Sequence, residues 1–566
     1  MSRRQKWRGR RVPPPAGDLQ LNRCRSIHCE NFGVLPNAEA SLYAKNVDAY
    51  MRMGTSRADN GPALPALLCQ RCQVSVTMLS NLAIAEERDR LLALSRPTPA
   101  GACKTEGCPN VQHDVAHYPE IYQRFGATPS GSLRYRCRAC SRTFSTPVDG
   151  THRLRRPEKT LEIFKALINK VPMRRLCELA DVRAETLYQR IGLIYDRCRE
   201  FGAAHETKLL AGGLIRERMH LATDRQELYL NSGTSQDSRS TLLLSCASAE
   251  GSTGYVVAQH VNFDPDADPF LLELNAREAG DPEAPAPFRR YARLWLPYQR
   301  FNKAEAKYEE DTATGTEFRP TTRGTQVHDT IAMAAHFQVL EQMTRGANYV
   351  QLSMDREPGI ERLAILTFLE RVRTGTCDAY FVRIAKETSL AQKRLALSEA
   401  EAVLREAKAA HSDVAEAKLL FRLIEERYER AILARPQARD RWVSHPYPTM
   451  SEPQRDLLCL TDDGRRPRHQ IVAGFARASL RSIDRYFMQV RRKIHVLERP
   501  ISSSSAANRK WYGYSAYSPL VVMRLLEIFR IVYNYHLVGQ QTTTPAQRLG
   551  LANEPISLAK LVGMSD

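Results

Sequence analysis

Residues 219–230 read MHLATDRQELYL, residues 240–249 STLLLSCASA and residues 253–263 TGYVVAQHVNF. Each is a β-rich run, and turn residues such as EGSTG separate them, so three consecutive strands in an antiparallel meander are expected. A polar, proline-rich region (264–324) intervenes before a helix-like stretch around 325–346. YVQLSMD (349–355) then reads as a short apolar strand ending in Asp355. A helix over about 359–373 and another strand, DAYFVRIA (378–385), complete the order β-β-β-α-β-α-β.

Residues 387–434 change composition to Ala, Leu, Glu, Lys and Arg, with Leu390, Leu397 and Leu404 seven apart. Asp413 and Glu416 fit a capping box that restarts a second helix, so a helical hairpin inserted into the domain is expected. After a loop rich in proline and charge (435–468), residues 473–497 read as one long helix. Its buried stripe would be Ala476, Leu480, Ile483, Phe487, Val490, Ile494 and Leu497. Asp484 lies beside that stripe, and Arg477, Arg481 and Arg491 share its side. Such a carboxylate is either an ion-paired surface residue or an active-site ligand beside a phosphate track.

A chain of 566 residues with 43% hydrophobic content can fold, but it exceeds one core, and three to five units are expected. Its net charge of +19 favours a polyanionic partner. No apolar run is long enough to span a bilayer, so no membrane partner is expected. MSRRQKWRGRR at the N-terminus lacks the apolar segment of a signal peptide and reads as a basic arm. No phosphate-cradling glycine loop supports ATP use, and His220, His260, His328 and His469 have no metal-ligand spacing.

Eight of the thirteen cysteines form two near-copies of one pattern. The first is Cys24-x4-Cys29 with Cys69-x2-Cys72, and the second is Cys103-x4-Cys108 with Cys137-x2-Cys140. The leading knuckles share lettering, CRSIHCEN and CKTEGCPN. A tetrahedral Zn²⁺ site needs two thiolate pairs on tight turns, and each copy supplies them. Disulfides are the alternative, but paired thiols in a cytosolic protein more often hold metal. Two structural zinc ribbons are therefore expected, with the segment 74–94 as a helix and SRPTPAGA as a linker.

Residues 157–171 fit a helix that begins at Pro157. A short helix from Pro172 carries Leu176, Leu179 and Ala180, and a break at Asp181-Val182-Arg183 leads to a third with Leu187, Ile191 and Ile194 on one face. This is a helix-turn-helix layout, with an ordinary three-helix bundle as the alternative. Arg183, Glu185, Thr186, Gln189 and Arg190 would face outward as types that reach base edges and phosphates. Cys177 and Cys198 read as core residues. Near the C-terminus, Trp511, Tyr512, Tyr514 and Tyr517 lie beside Arg509 and Lys510, in a loop that either packs or contacts nucleic acid.

Taken in order, these segments resemble the DDE transposases of bacterial insertion sequences, whose catalytic domain is RNase H-like. In that pattern the first acid follows the opening strand, as Asp224 does, and the second ends the strand after the meander, as Asp355 does. The third sits on a later helix before paired arginines, as Asp484 does in SIDRYFMQVRRK with Arg491 and Arg492. FRIVYNYHLVGQQTTTPAQRLGL is similar to the family's aromatic helix and TPA..LGL tail. The ribbon ending in CSRTFS, followed by a helix-turn-helix, is similar to its DNA-binding front end. The resemblance covers most of residues 101–552. Departures are an aspartate where bacterial members have glutamate, long spacings between the acids, and the extra ribbon. Glu498 and Glu527 are alternatives for the third acid, although Glu527 reads as structural.

The resemblance implies a multidomain α/β chain: a basic arm (1–17), a first zinc ribbon plus helix (18–95), a second ribbon (96–150) and a helix-turn-helix (151–207). An RNase H-like catalytic domain (208–385 and 438–545) would be interrupted by the hairpin (386–437), with a tail at 546–566. Asp224, Asp355 and Asp484 would hold two Mg²⁺ or Mn²⁺ ions, a cation class that prefers carboxylate oxygen. The expected partner is double-stranded DNA, element ends and target alike, bound by a homo-oligomer in the bacterial cytoplasm at the nucleoid. DNA contacts would come from Arg183, Thr186, Gln189, Arg190, Arg477, Arg481, Arg491, Arg492, Arg509 and Lys510. The rival function is a non-catalytic, transposase-derived regulator.

Overall fold

The structure, a computed structural model, describes the chain apart from residues 1–9, 42–43, 45–46, 55–64, 97–100, 112, 116–117, 130–131, 147–153, 232–240, 302–320, 322, 358, 386–388, 413, 437, 439, 499–500, 503–509, 512–515, 540–541 and 565–566. In chain order it holds β1 (Tyr50–Gly54), β2 (Pro65–Cys69), β3 (Ser75–Thr77), α1 (Asn81–Leu94), β4 (Tyr122–Ala127), β5 (Leu133–Cys137) and β6 (Thr143–Ser145). Three helices follow, α2 (Glu158–Leu167), α3 (Met173–Ala180) and α4 (Ala184–Leu210), and then β7 (Arg216–Leu230), β8 (Thr241–Glu250) and β9 (Val256–Val261). Next come β10 (Phe263–Asp264), α5 (Pro269–Ala279), α6 (Pro297–Phe301), β11 (Thr325–Gln326), α7 (Asp329–Met343) and β12 (Ala347–Met354). Beyond them lie α8 (Ile360–Thr367), α9 (Leu369–Arg373), β13 (Cys377–Ile384), α10 (Leu390–Ala410), α11 (Glu416–Ala434), β14 (Trp442–Ser444) and β15 (Arg455–Cys459). The last are α12 (Arg468–Arg477), α13 (Arg481–Lys493), β16 (Ile501–Ser502), β17 (Lys510–Trp511), α14 (Pro519–Tyr535), α15 (Pro545–Leu549) and α16 (Leu558–Leu561).

Two compact units share these elements. One comprises Met1–Leu91, Lys208–Gln489 and Arg499–Met523, and the other Leu92–Thr207, Val490–Glu498 and Arg524–Asp566. The first unit is built on a seven-stranded mixed sheet of order β14-β15-β13-β12-β7-β8-β9. The expected meander forms β7, β8 and β9, each antiparallel to the next. β12 and β13 run parallel to β7, as strands reached through helical crossovers do. Their residues are buried almost continuously, the pattern of a sheet covered on both faces.

Residues paired across neighbouring strands point to the same face, so register tells the two faces apart. Thr223 pairs with Ser248, whose hydroxyl meets His336 of α7 at 2.8 Å. Asp224 pairs with Ala247 and Ala247 with Gln259, which accepts the Tyr486 hydroxyl of α13. The helix carrying Asp484 therefore covers the sheet face from which Asp224 projects.

Several expectations need correction. The loop over 435–468 contains β14 and β15, which extend the sheet beyond β13. The helix expected over 473–497 is two helices, because buried Glu452 accepts Ser479 Oγ at 2.7 Å and the Leu480 amide at 2.9 Å and so caps a new start at Arg481. The segment 74–94 holds β3 as well as α1, since Ala66–Leu68 pairs with Ser75–Thr77. The hairpin forms, but its capping box is Ser389 with Gln392 at the start of α10. α11 starts instead at Glu416 with Ala415 as its uncapped N-cap, and Asp413 lies outside the described residues. The hairpin rests on the first unit through α11, whose Leu419, Ile424 and Tyr428 are buried.

The second unit combines the second ribbon, helices α2–α4 and the C-terminal helices. A tight turn with Asp181 in the left-handed region joins α3 to α4, where Leu187, Ile191 and Ile194 form the expected buried stripe. Cys198 is buried and Cys177 half-buried. In the tail, Thr544 and Gln547 cap α15, and Gly550 ends it at φ 87°.

Candidate metal centres and acidic site

Each cysteine set gathers four sulfurs within 4.8 Å of one another, and either set could hold a metal ion. Cys24 and Cys72 stand 3.6 Å apart and Cys29 and Cys69 3.7 Å; the matching pairs of the second set are 3.4 Å (Cys103–Cys140) and 3.7 Å (Cys108–Cys137). Zinc–sulfur bonds of about 2.3 Å at tetrahedral corners require sulfurs about 3.8 Å apart, while a disulfide needs about 2.05 Å. The sets fit Zn²⁺, and all eight thiols are free of disulfides.

The two centres share their surroundings. A tyrosine hydroxyl accepts the first cysteine's amide in each, Tyr50 from Cys24 at 2.9 Å and Tyr122 from Cys103 at 3.0 Å. An asparagine two residues past the second cysteine donates to a thiol in each, Asn31 to Cys69 at 3.4 Å and Asn110 to Cys137 at 3.3 Å. Burial pushes Cys69 up, but N–H groups of Cys72, Asn31 and Arg71 outweigh it and bring it down to about 7. The Thr105 hydroxyl and Arg142 amide bring Cys140 down to about 6. Burial pushes Cys24 and Cys29 up instead, so fixed donors favour the metal-binding thiolate at Cys69 and Cys140 and not across the whole of either set.

The first ribbon is packed into the first unit. Arg362 of α8 is 7% exposed and donates to the Leu21 carbonyl at 2.8 Å, to Asn22 Oδ1 at 3.3 Å, and to the Thr77 carbonyl. Leu369 fills the space beside Gly33, where a Cβ would come within 2.8 Å of it. Arg373 holds the Phe32 carbonyl at 2.8 Å. On α1, buried Glu87 pairs with Arg90 at 2.6 Å and Arg293 at 2.9 Å. Arg11 belongs to this core as well: it is buried, and it binds Asp48 at 2.5 Å and the Tyr50 carbonyl at 2.8 Å. The described end of the expected basic arm is thus structural, because its guanidinium satisfies the strand that follows; residues 1–9 lie outside the described residues.

Asp224 lies within β7, and Asp355 follows the last residue of β12. The parallel register pairs Met354 with Thr223, so the two aspartates come next on adjacent strands. Asp224 Oδ1 accepts the Arg225 amide at 2.8 Å, and Asp355 Oδ1 the Arg356 amide at 2.7 Å. Glu357 was not singled out in the sequence, yet it feels the charges of both aspartates. Burial first, and then the charges of Asp224, Asp329 and Asp355, push it up to about 7, against the opposing pull of Arg225. Arg225 pairs with Asp329 and stands 3.1 Å from Glu357. Its place directly after Asp224 was the sequence signal.

Asp484 occupies the first turn of α13, partly buried, its amide bonded to the Leu480 carbonyl at 3.0 Å. The carboxylates of Asp224, Asp355 and Asp484 are not gathered within 4.8 Å; among the described residues only the cysteine sets are. Of the alternatives, Glu498 pairs with Lys170, and Glu527 holds Arg530 at 2.8 Å.

Arg183, Glu185 and Gln189 are exposed on α4 or its approach, and Thr186 is half-buried. Arg190 corrects the outward-facing set: it is 9% exposed and donates to the Arg155 carbonyl at 2.6 Å. It follows Gln189 on the helix and so turns toward the core side. Arg477 ends α12, so it does not share a helix with Arg481, Arg491 and Arg492 of α13. It lines a cavity of about 490 Å³ with Arg218, Tyr349 and His469. Arg509 and Tyr512 lie outside the described residues, as do Tyr514 and the side chains of Lys510 and Trp511; Tyr517 is exposed. No helix is long and apolar enough among the described residues to cross a membrane.

Comparison with known proteins returned no matching family model, no matching curated protein and no matching solved structure.

Proposed function

We propose that this chain is a DNA transposase that cleaves and joins phosphodiesters at insertion-element ends through an acidic, divalent-metal site on an RNase H-like core. The parallel register that brings Asp355 beside Asp224 carries this reading. The sheet, with β9, β8 and β7 antiparallel and β12 and β13 running parallel to β7, supports the reading of an RNase H-like core. The α2–α3–α4 arrangement supports a helix-turn-helix, with Arg183, Thr186 and Gln189 on the recognition side.

Asp224, Asp355 and Asp484, the last on the helix covering the same face, would hold two Mg²⁺ or Mn²⁺ ions, which would supply the positive charge that activates an attacking oxygen and stabilises a departing one. Water as nucleophile gives cleavage, and a DNA 3′-hydroxyl gives strand transfer. Such chemistry would run in a homo-oligomer on double-stranded DNA in the bacterial cytoplasm.

A second reading, a DNA-binding regulator without catalysis, draws support from the three carboxylates not being gathered within 4.8 Å. A cleavage assay on DNA flanking the gene, with Mg²⁺ or Mn²⁺, decides between them. The enzyme predicts metal-dependent nicking that D224N and D355N abolish while DNA binding persists. The regulator predicts binding with no cleavage at any metal concentration.

A further inference from the structure

The two ribbons repeat one metal core but present opposite outer surfaces. In the first, Arg52 is tied to the Arg10 carbonyl at 2.9 Å and Arg71 to Glu30 at 2.9 Å, while its knuckle and edge are held by α8 and α9. In the second, Tyr122–Ser145 contains five arginines, at 124, 134, 136, 138 and 142, and no acidic residue. Among the described residues none of the five pairs with a carboxylate: Arg134 donates to the Thr143 hydroxyl at 3.4 Å and Arg136 to the Ser141 carbonyl at 3.2 Å, and four of the five are exposed, with Arg134 half-buried. Phe125 is 48% exposed, and the Arg134 guanidinium lies 5.7 Å from its ring centre. Arg134 and Arg136 lie two apart on β5 and so share a face; the strand pairing shifts register between Arg124 and Ala127, and the approach of the Arg134 guanidinium is what places the Phe125 ring beside them.

From this contrast we infer that the β4–β5 face of the second ribbon is a nucleic-acid contact, and that the first ribbon is not. Arginines whose charge no carboxylate neutralises, at strand spacing, suit a phosphodiester backbone, and an exposed ring beside them suits stacking on an unpaired base. A protein partner would need to be strongly acidic and would leave Phe125 without a planar counterpart. The inference rests on the DNA-binding part of the proposed function and adds to it a site for single-stranded or frayed DNA.

Fluorescence anisotropy of the full chain tests it, with duplex and single-stranded oligonucleotides of one sequence and zinc content checked for each variant. R134Q/R136Q should lower the salt slope by about 1.8 on duplex and about 1.4 on single strand, two phosphate contacts' worth. F125A should weaken single-strand binding about tenfold and leave duplex binding within about twofold. R71Q, in the first ribbon, should change neither. If R134Q/R136Q, with two zincs retained, keeps the wild-type slope, or if R71Q lowers it equally, the surface assignment is overturned and the transposase reading stands. If the wild-type chain binds neither oligonucleotide, both fall.

Discussion

The Arg362 guanidinium donates to the Leu21 carbonyl at 2.8 Å from a helix that begins five residues past Asp355. The first four-cysteine cluster, which could hold zinc, is thereby fastened to the segment that presents an acid of the proposed site. Burial pulls the Arg362 pKa down to about 9, yet the side chain remains the donor to three oxygens of the ribbon.

Arg362→Met should therefore destabilise the first unit, because two backbone carbonyls lose their donor inside the protein. Each such loss costs about 1–3 kcal/mol, so a fall of about 2–6 kcal/mol in urea unfolding is expected. Arg362→Lys should recover part of it. An unchanged midpoint in Arg362→Met would mean that the clamp adds nothing.

Metal analysis of the purified chain should find two zinc ions. Cys24→Ser and Cys137→Ser should each lose one, but with different consequences. The first should lower the unfolding midpoint of the unit that contains the seven-stranded sheet, and the second should lower DNA affinity. Identical effects would contradict the separate surroundings of the two ribbons.

Stability should fall as acid is added. Burial holds His336 down at about 3, against an ordinary value of 6.5, in a chain of contacts with Ser248 and His260. Between those values the unfolded chain binds a proton that the folded chain excludes. The contribution is thus complete above pH 6.5 and declines toward pH 3, by about 1.4 kcal/mol per pH unit at its steepest. His336→Gln should flatten the decline in urea midpoints between pH 6.5 and 4, whereas an unchanged slope would assign it to other groups.

Glu452→Ala should uncap the helix that carries Asp484 and leave buried Arg455 without its partner at 2.7 Å. Breaking such a pair costs about 3–5 kcal/mol. Glu452→Gln, which keeps an acceptor for the Leu480 amide, should cost less in thermal unfolding; equal losses would contradict the capping role.

Those elements announced by local chemistry were legible in the sequence. The cysteine knuckles follow from spacing, and β7, β8, β9, β12 and β13 from runs of β-forming residues bounded by turns. The α3–α4 turn follows from the break at Asp181. What escaped depends on partners distant in the chain. β15 pairs with β13 and β14 in turn with β15, partners distant in the chain, and the prolines and charges around these short strands disguise them. The break at Ala478–Leu480 is made by Glu452, a residue no periodicity in 473–497 can reveal. Arg190 and Arg11 read as surface cations because the carbonyls that bury them, Arg155 and Tyr50, lie 35 and 39 residues away. Among the acids, Asp355 stands at the end of β12 as its sequence suggests, whereas Asp224 lies inside β7 and not at its end, because β7 runs on to Leu230 in pairing with β8; Glu357 and Asp329 acquire meaning only through Arg225.

The central claim is that Asp224 and Asp355 form a divalent-metal site, and the most direct test is anomalous diffraction from crystals of the protein soaked in Mn²⁺. A Mn²⁺ peak bonded to carboxylate oxygens of both aspartates, and lost in D224N, is the predicted result; Mg²⁺-type ligand distances are about 2.0–2.1 Å. Crystals that take up Mn²⁺ elsewhere, or show no peak touching either aspartate at saturating metal, would contradict it.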